Sequence, residues 1–218
     1  MINRFKKAFR DTFIVQLYKK IKEEIKFKKR QYRNIPAGFL FYGNALMEQG
    51  NFEITETNLF SELFKEADIF IDIGANIGYF TCLACSSGLK VFAFEPSLKN
   101  LPYLYENIRQ NQWQKQVEVF PIGLSDKPDL LEIYGEGTGA SLISGWAGAS
   151  TASFQIIPVN SLNSVVGGRL GLNRVVVKID IEGAEYQALC GADKILDLNP
   201  KPIWLVEITF EEHRHGSR

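Results

Sequence analysis

The chain has few of the residues that build cross-links or metal sites. Its 218 residues include three cysteines and two histidines. An odd cysteine count argues against a disulfide framework and for a reducing compartment. Cys82 and Cys85 form a C-x-x-C, but they fall inside one helical stretch with no second Cys or His pair nearby. They read as small core residues on one helix face, not as a zinc or redox site. Long apolar runs are also missing. No stretch approaches the ~20 residues of a membrane span, and the first residues lack the apolar core of a signal peptide. The expected location is therefore cytoplasmic.

The formal net charge is zero, but it hides an imbalance. Residues 1–33 hold twelve Lys or Arg and three Asp or Glu, a formal +9, which leaves −9 on the remainder. Phe5, Phe9, Phe13, Leu17, Ile21 and Ile25 recur every fourth residue through this basic segment. The pattern predicts a basic amphipathic helix. Such a helix either lies on an anionic membrane surface at the inner face or packs on the domain with its basic side in water. Nucleic-acid binding fits less well, because the basic residues are not interleaved with aromatics as in single-strand binders. An apolar content of 45% supports a real core, and the length suits one domain plus an extension.

The densest signal is Asp68-Ile-Phe-Ile-Asp-Ile-Gly-Ala-Asn-Ile-Gly-Tyr-Phe-Thr81. Ile69, Phe70, Ile71 and Ile73 read as a buried strand. Gly74 and Gly78 then make a turn into a helix over Tyr79–Ser87, which Gly88 ends. A dinucleotide fingerprint laid over this turn would need glycine at Asp72, Gly74 and Ile77, and two of the three fail. A carboxylate at Asp72 would repel a pyrophosphate. It suits S-adenosylmethionine (SAM), which carries a sulfonium and an ammonium and no phosphate. Twenty-one residues beyond Gly74, the strand Val91–Phe94 ends in Glu95-Pro96, an acidic residue placed to accept from ribose hydroxyls. Ser97 is the expected cap of a helix over Leu98–Asn111, with Pro102 near its first turn.

These residues resemble the FkbM family of SAM-dependent methyltransferases. The motifs are Asp72-Ile-Gly-Ala-Asn-Ile-Gly78, Phe94-Glu95-Pro96 and Lys178-Ile-Asp-Ile-Glu-Gly-Ala-Glu185, and the likeness covers roughly residues 50–212. The resemblance implies an α/β, Rossmann-like, doubly wound and mostly parallel sheet with helices on both faces, preceded by the basic helix. It implies three divisions: residues 1–35, a connector and lead-in helix over 36–67, and a SAM-binding methyltransferase domain over 68–218. Cofactor contacts would come from Asp72, Gly74, Ala75, Asn76, Gly78 and Glu95. Gly123-Leu124-Ser125-Asp126 matches a further family motif where this fold holds adenine. Leu124 and Asp126 are either adenine contacts or part of an ordinary Ser/Asp turn. The region around Glu53 would close one side of the pocket. Methyltransferases of this class usually continue past the fifth strand with a helix and two more strands, and these are absent. The implied reaction is O-methylation of a sugar hydroxyl on a glycan, glycolipid or secondary metabolite.

The later chain breaks the alternation once. Leu130–Tyr134 and Phe154–Val159 predict two strands joined by a small-residue loop, Gly135 to Gly148, with Trp146. This loop is either a gate over the pocket or a plain hairpin insertion. Val175–Asp180 predicts a strand buried on both faces, with a helix from Ala184 to Leu196 and a last strand over Ile203–Ile208. In such sheets ligands bind beyond the carboxyl ends of the strands, where Asp72, Glu95, Asp126 and Asp180 converge. Methyl transfer to oxygen needs a base or positioning group. Asp180 is the first candidate, followed by Glu182 and Glu207, with His213 and His215 behind them. The same carboxylates suit a divalent cation, but nothing in their spacing requires one. Lys178 reads as the salt-bridge partner of a neighbouring acid. The competing functions are a catalytically inactive binding module and, less well supported by the glycine pattern, a nicotinamide-dependent oxidoreductase.

Overall fold

The computed structural model describes residues 18, 21, 22, 25, 27, 30–134, 154–181 and 183–208. A hairpin of β1 (Arg33–Asn34) and β2 (Leu40–Phe41) leads through α1 (Ala45–Glu48) into α2 (Ile54–Leu63). The central strands follow as β3 (Ile69–Ile73), β4 (Lys90–Phe94) and β5 (Val117–Phe120), with α3 (Tyr79–Ser86) and α4 (Leu101–Gln110) as crossovers. β6 (Gly123–Leu124), β7 (Asp129–Tyr134) and β8 (Phe154–Asn160) form a small second sheet in which β7 and β8, the two strands that the sequence predicts here, pair antiparallel. After α5 (Leu162–Val166) the chain returns to the centre through β9 (Val175–Ile179), α6 (Glu185–Cys190), α7 (Asp193–Leu196) and β10 (Ile203–Val206).

The central sheet has the order β10-β9-β3-β4-β5, and every pair in it is parallel. The order reverses at β3, so the crevice beyond β3 and β9 is where such a sheet takes ligands. Side-chain alternation assigns two faces. Ile69, Ile71, Ile73, Phe92, Phe94, Val177 and Ile179 pack against Leu162, Val166, Ala188 and Ile195 of α5 to α7. Phe70, Val91, Ala93 and Val176 pack against Phe60, Phe80, Leu83 and Leu104 of α2 to α4. The expected doubly wound architecture is present.

Ring contacts tie α2 to the sheet. Phe60 and Phe64 meet Phe70 at centroid separations of 5.5 and 4.9 Å, and Phe60 meets Phe80 at 5.0 Å. All four rings are buried, each stabilising by roughly 1.5–3 kcal/mol from burial alone. The stretch expected as a connector joins the same cluster through Ile35, Phe39, Phe41 and Met47. Buried Asn107 of α4 holds it there. Its Oδ1 accepts from the Tyr42 amide at 3.0 Å, and its Nδ2 donates to the carbonyls of Tyr42 and Ile77 at 3.2 and 2.8 Å. Phe27 stacks edge-on against Tyr103 at 5.1 Å, and Arg30 pairs with Glu106 at 3.2 Å.

Two expected elements differ. The helix after Glu95 starts at Leu101, and Ser97 does not cap it. The Ser97 carbonyl accepts from the Asn100 and Leu101 amides instead, closing a turn first. The expected helix from Ala184 to Leu196 is divided at Gly191. A Cβ at Gly191 would stand 2.1 Å from the Ser125 carbonyl oxygen, so the close approach requires glycine, and the Gly191 carbonyl accepts from the Asn163 amide at 3.0 Å instead of from a later turn of helix. The loop from Gly135 to Gly148 with Trp146, Glu182, His213, His215 and most of residues 1–29 lie outside the described residues. Among the described residues no helix is long and apolar enough to cross a membrane.

Candidate functional site

Asp72 is the fourth residue of β3, in register with Ala93 on one side and Lys178 on the other. Period-two alternation turns it to the same face as Phe70, where the core gives way to a cavity of about 400 Å³. Asp72 is 1% exposed. Its Oδ2 accepts from the Thr81 hydroxyl at 2.6 Å, while Oδ1 has no hydrogen-bond partner among the described residues. Burial pushes its carboxyl above the usual range, against the pull of Lys178 and Thr81.

Gly74 follows at φ 83°, and a Cβ there would lie 1.9 Å from the Asp180 carbonyl oxygen. The position needs glycine both for its conformation and for the approach of the β9 end. Asn76 adopts φ 52°, also left-handed, and its side-chain oxygen is buried without a partner among the described residues. Gly78, at φ 91°, opens α3 and sits against Leu104, where a Cβ would meet the leucine methyl at 2.5 Å.

Glu95 braces this loop from behind. Its Oε2 accepts from the Asn76 amide at 2.8 Å, and its Oε1 accepts from the Ser97 amide at 2.8 Å and the Asn100 side chain at 3.3 Å. Burial raises its carboxyl, opposed by those same bonds. The Gly74 and Ala75 amides donate to the Phe94 carbonyl, both at 3.0 Å.

Across the cavity, Lys178 is buried and its Nζ donates to Asp180 Oδ2 at 2.7 Å, the pairing the sequence predicts. Burial alone would lower this lysine. Asp180, Asp72 and Glu53 together outweigh it and hold the ammonium above its usual range. The Glu207 amide donates to the Ile179 carbonyl at 2.9 Å, which sets Glu207 at the end of β10 beside Asp180.

Of the expected residues, Asp72, Gly74, Ala75, Asn76, Asp180 and Glu207 line the cavity together. Gly78 and Glu95 shape its loop from outside the lining. Leu124 is buried in the apolar cluster under α5 to α7, and Asp126 is exposed beside Ser125, so neither is on the cavity wall. Sequence reasoning passed over Asn44, Met47, Phe52 and Tyr79, which also line it. Glu53, noted only loosely, reaches the rim through a left-handed residue at φ 39° that starts α2. Burial raises its carboxyl, with Lys178 pulling the other way. Hydrophobic periodicity carries no mark of such a residue. Among the described residues no three His, Cys, Asp or Glu side chains are grouped to hold a metal ion.

The hexuronic acid methyltransferase AglP of Haloferax volcanii is 30% identical over 140 residues, 63% of this chain and 55% of that protein. The chain thus spans about half the length of this curated relative. A solved FkbM methyltransferase from Methylobacillus flagellatus is 21% identical, covering 63% of this chain and 32% of the other at a TM-score of 0.45. A SAM-dependent methyltransferase from Agrobacterium tumefaciens is 16% identical, covering 43% and 32% at 0.35. The model of the methyltransferase FkbM domain matches residues 72–216, from the buried carboxylate of β3 onward. The chain belongs to the FkbM methyltransferase domain family.

Proposed function

We propose that the protein transfers a methyl group from SAM to a hydroxyl of a sugar acceptor, in a glycan, glycolipid or secondary metabolite. The carrying observation is the buried Oδ1 of Asp72, without a hydrogen-bond partner among the described residues, on a cavity wall that Gly74 leaves open to close backbone approach. A buried acceptor oxygen without a donor is costly, and a cationic or N–H-bearing ligand would satisfy it. A phosphate would not, which disfavours a nicotinamide cofactor. Asp72, Gly74, Ala75 and Asn76 would hold the amino-acid end of SAM, and Glu95 the ribose. Leu124 and Asp126 remain proposed at the adenine end, beyond the cavity wall. Family membership and the AglP relative support the reaction class.

When bound, SAM supplies an activated methyl group on sulfur. The chain's own contribution is orientation and proton handling. Lys178 fixes one oxygen of Asp180, so this carboxylate is presented in a set orientation to position the acceptor hydroxyl and receive its proton. Glu207 stands next to it at the β10 end and is the second candidate for that role. Glu182 is proposed with them from the motif alone.

The test is calorimetric titration with SAM, S-adenosylhomocysteine and NAD, on the wild type and Glu95→Ala. Micromolar binding of the first two, weakened at least tenfold in the variant, is expected. Binding of NAD with none of SAM would overturn the reading. SAM binding without transfer to any sugar would instead favour an inactive binding module.

We further propose peripheral contact with anionic membranes through the basic segment. Tyr18, Ile21 and Ile25 are exposed in a region with twelve Lys or Arg against three acids. Sedimentation with phosphatidylserine vesicles should be lost when residues 1–26 are deleted, and unchanged sedimentation would refute the contact.

A further inference from the structure

The small second sheet stands apart from the cavity, and no residue of β6, β7 or β8 lines it. One side chain nevertheless crosses from it to the turn after β4. Gln155 stands opposite Ile133 in the β7–β8 ladder. Period-two alternation puts it on the same face of β8 as buried Ile157 and Val159. Its Nε2 donates to the Pro96 carbonyl at 3.1 Å, and its Oε1 accepts from the Leu98 amide at 3.4 Å. A carboxamide carries a donor and an acceptor side by side, which matches a carbonyl and an amide two residues apart.

These two bonds bracket Ser97. The Ser97 amide lies between the gripped groups and donates to Glu95 Oε1 at 2.8 Å. Asn100 adds a second bond to the same oxygen at 3.3 Å, while Oε2 accepts from the Asn76 amide at 2.8 Å. A carboxylate offers about four acceptor sites. Among the described residues Oε1 thus takes two donors and Oε2 takes one, so Oε2 keeps room for one more. The direction of that last site depends on how the carboxylate is rotated, and the donors on Oε1 set the rotation. The backbone that places them needs a hold of its own. β4 ends at Phe94 and α4 begins at Leu101. Pro96 brings no amide to the turn between them. Gln155 supplies the missing rung.

We infer that Gln155 is a positioning residue for the ribose of the cofactor. Through this one carboxamide the second sheet holds the Pro96–Leu98 turn, so that Glu95 presents its remaining acceptor site to a ribose hydroxyl. The inference rests on the proposed binding of the SAM ribose by Glu95.

The test removes both bonds and asks which part of the ligand notices. Gln155→Leu keeps the bulk of the side chain and leaves the backbone ladder of β8 untouched. S-adenosylhomocysteine and its 2′,3′-dideoxyribose analogue are titrated calorimetrically into the full chain and the variant, with the melting temperature of each protein measured beside them. The wild type should prefer the ribose ligand. In Gln155→Leu that ligand should weaken about tenfold and the dideoxy analogue less than about threefold, so the preference shrinks. A purely structural role would weaken both ligands by the same factor. Gln155→Glu still accepts from the Leu98 amide but sets a carboxylate against the Pro96 carbonyl. It should lose the preference as well, and it decides the matter if the leucine variant does not fold. Equal weakening of both ligands, or a ribose preference unchanged in the variants, overturns the inference. S-adenosylhomocysteine binding by the wild type then leaves the methyltransferase reading standing. A wild type that binds both ligands equally removes the Glu95 contact and the inference with it, and a wild type that binds neither removes the cofactor reading too.

Discussion

Replacing Gly74 by alanine separates two physical costs that this position combines. The first is conformational: at φ 83° an L-residue gives up about 1–2 kcal/mol. The second is steric. The added Cβ would lie 1.9 Å from the Asp180 carbonyl oxygen and 3.1 Å from an Ile181 methyl. Ordinary van der Waals contact begins near 3.4 Å, so the Gly74 loop and the end of β9 must part by more than an ångström. That displacement strains the bond from the Asp180 amide to the Ile73 carbonyl, now 3.0 Å. Overpacking of this kind costs about 1–3 kcal/mol, giving a total of roughly 2–5 kcal/mol for Gly74→Ala. The fold supplies its own control. Gly88 has almost the same φ, 86°, but a Cβ there would have no atom of the described residues within 4 Å. Gly88→Ala should therefore lose only the conformational part, about 1–2 kcal/mol. Urea unfolding of the three proteins, with unchanged m-values, reads the difference. Equal losses in the two variants would refute the claim that Gly74 is required by close approach to β9. Gly74→Ala should also abolish SAM binding, and Gly88→Ala should retain it.

Asp72→Asn tests the buried carboxylate. Burial raises its folded pKa, so the ionised form costs stability at neutral pH, and that cost fades as pH falls through the raised value toward the unfolded one near 3.9. The variant should melt higher than wild type at pH 7 and converge with it below about pH 4, while losing SAM affinity. A lower melting temperature at pH 7 would reverse the sign. Lys178→Met leaves Asp180 and Asp72 without their shared cation and should cost about 3–5 kcal/mol in chemical denaturation; a loss under 1 kcal/mol would mean that water solvates the pair. Asn107→Ala removes three bonds to Tyr42 and Ile77 and should destabilise by about 2–4 kcal/mol, since it leaves buried backbone groups unpaired. A stability unchanged within error would show that this side chain is not what fastens the segment before α1.

The end of the sheet that carries Asp72 and Glu95 was readable because its signals are local. Ile69–Ile73 is a run of branched and aromatic residues closed by Gly74, and Glu95 directly follows a strand of the same kind, so neighbours in sequence declare neighbours in space. Asp180 and its partner Lys178 follow the same logic, two residues apart at the end of β9. What stayed hidden depends on packing between distant segments. Phe39, Phe41 and Phe52 lie in a stretch too short and broken to show a lasting period, yet their rings meet Tyr79 at the start of α3. Glu53 reaches the rim through a backbone angle that its residue type does not announce. Gly191 stands where a helical pattern divides, its carbonyl taken by the Asn163 amide and its missing side chain making room for a carbonyl 66 positions earlier. Ser97 lost its role as a cap when its carbonyl closed a turn ahead of the helix.

The loop from Gly74 to Gly78 is fastened from three directions: to the Phe94 carbonyl, to the Glu95 carboxylate through Asn76, and to Asn107 through the Ile77 carbonyl. It therefore has little freedom left to lose when a ligand arrives. The ordering cost that weakens many loop-built sites is already met by the folding of the sheet and α4. Binding there should show the small heat-capacity change of a rigid cavity being filled, not the large one of a segment that folds around its ligand.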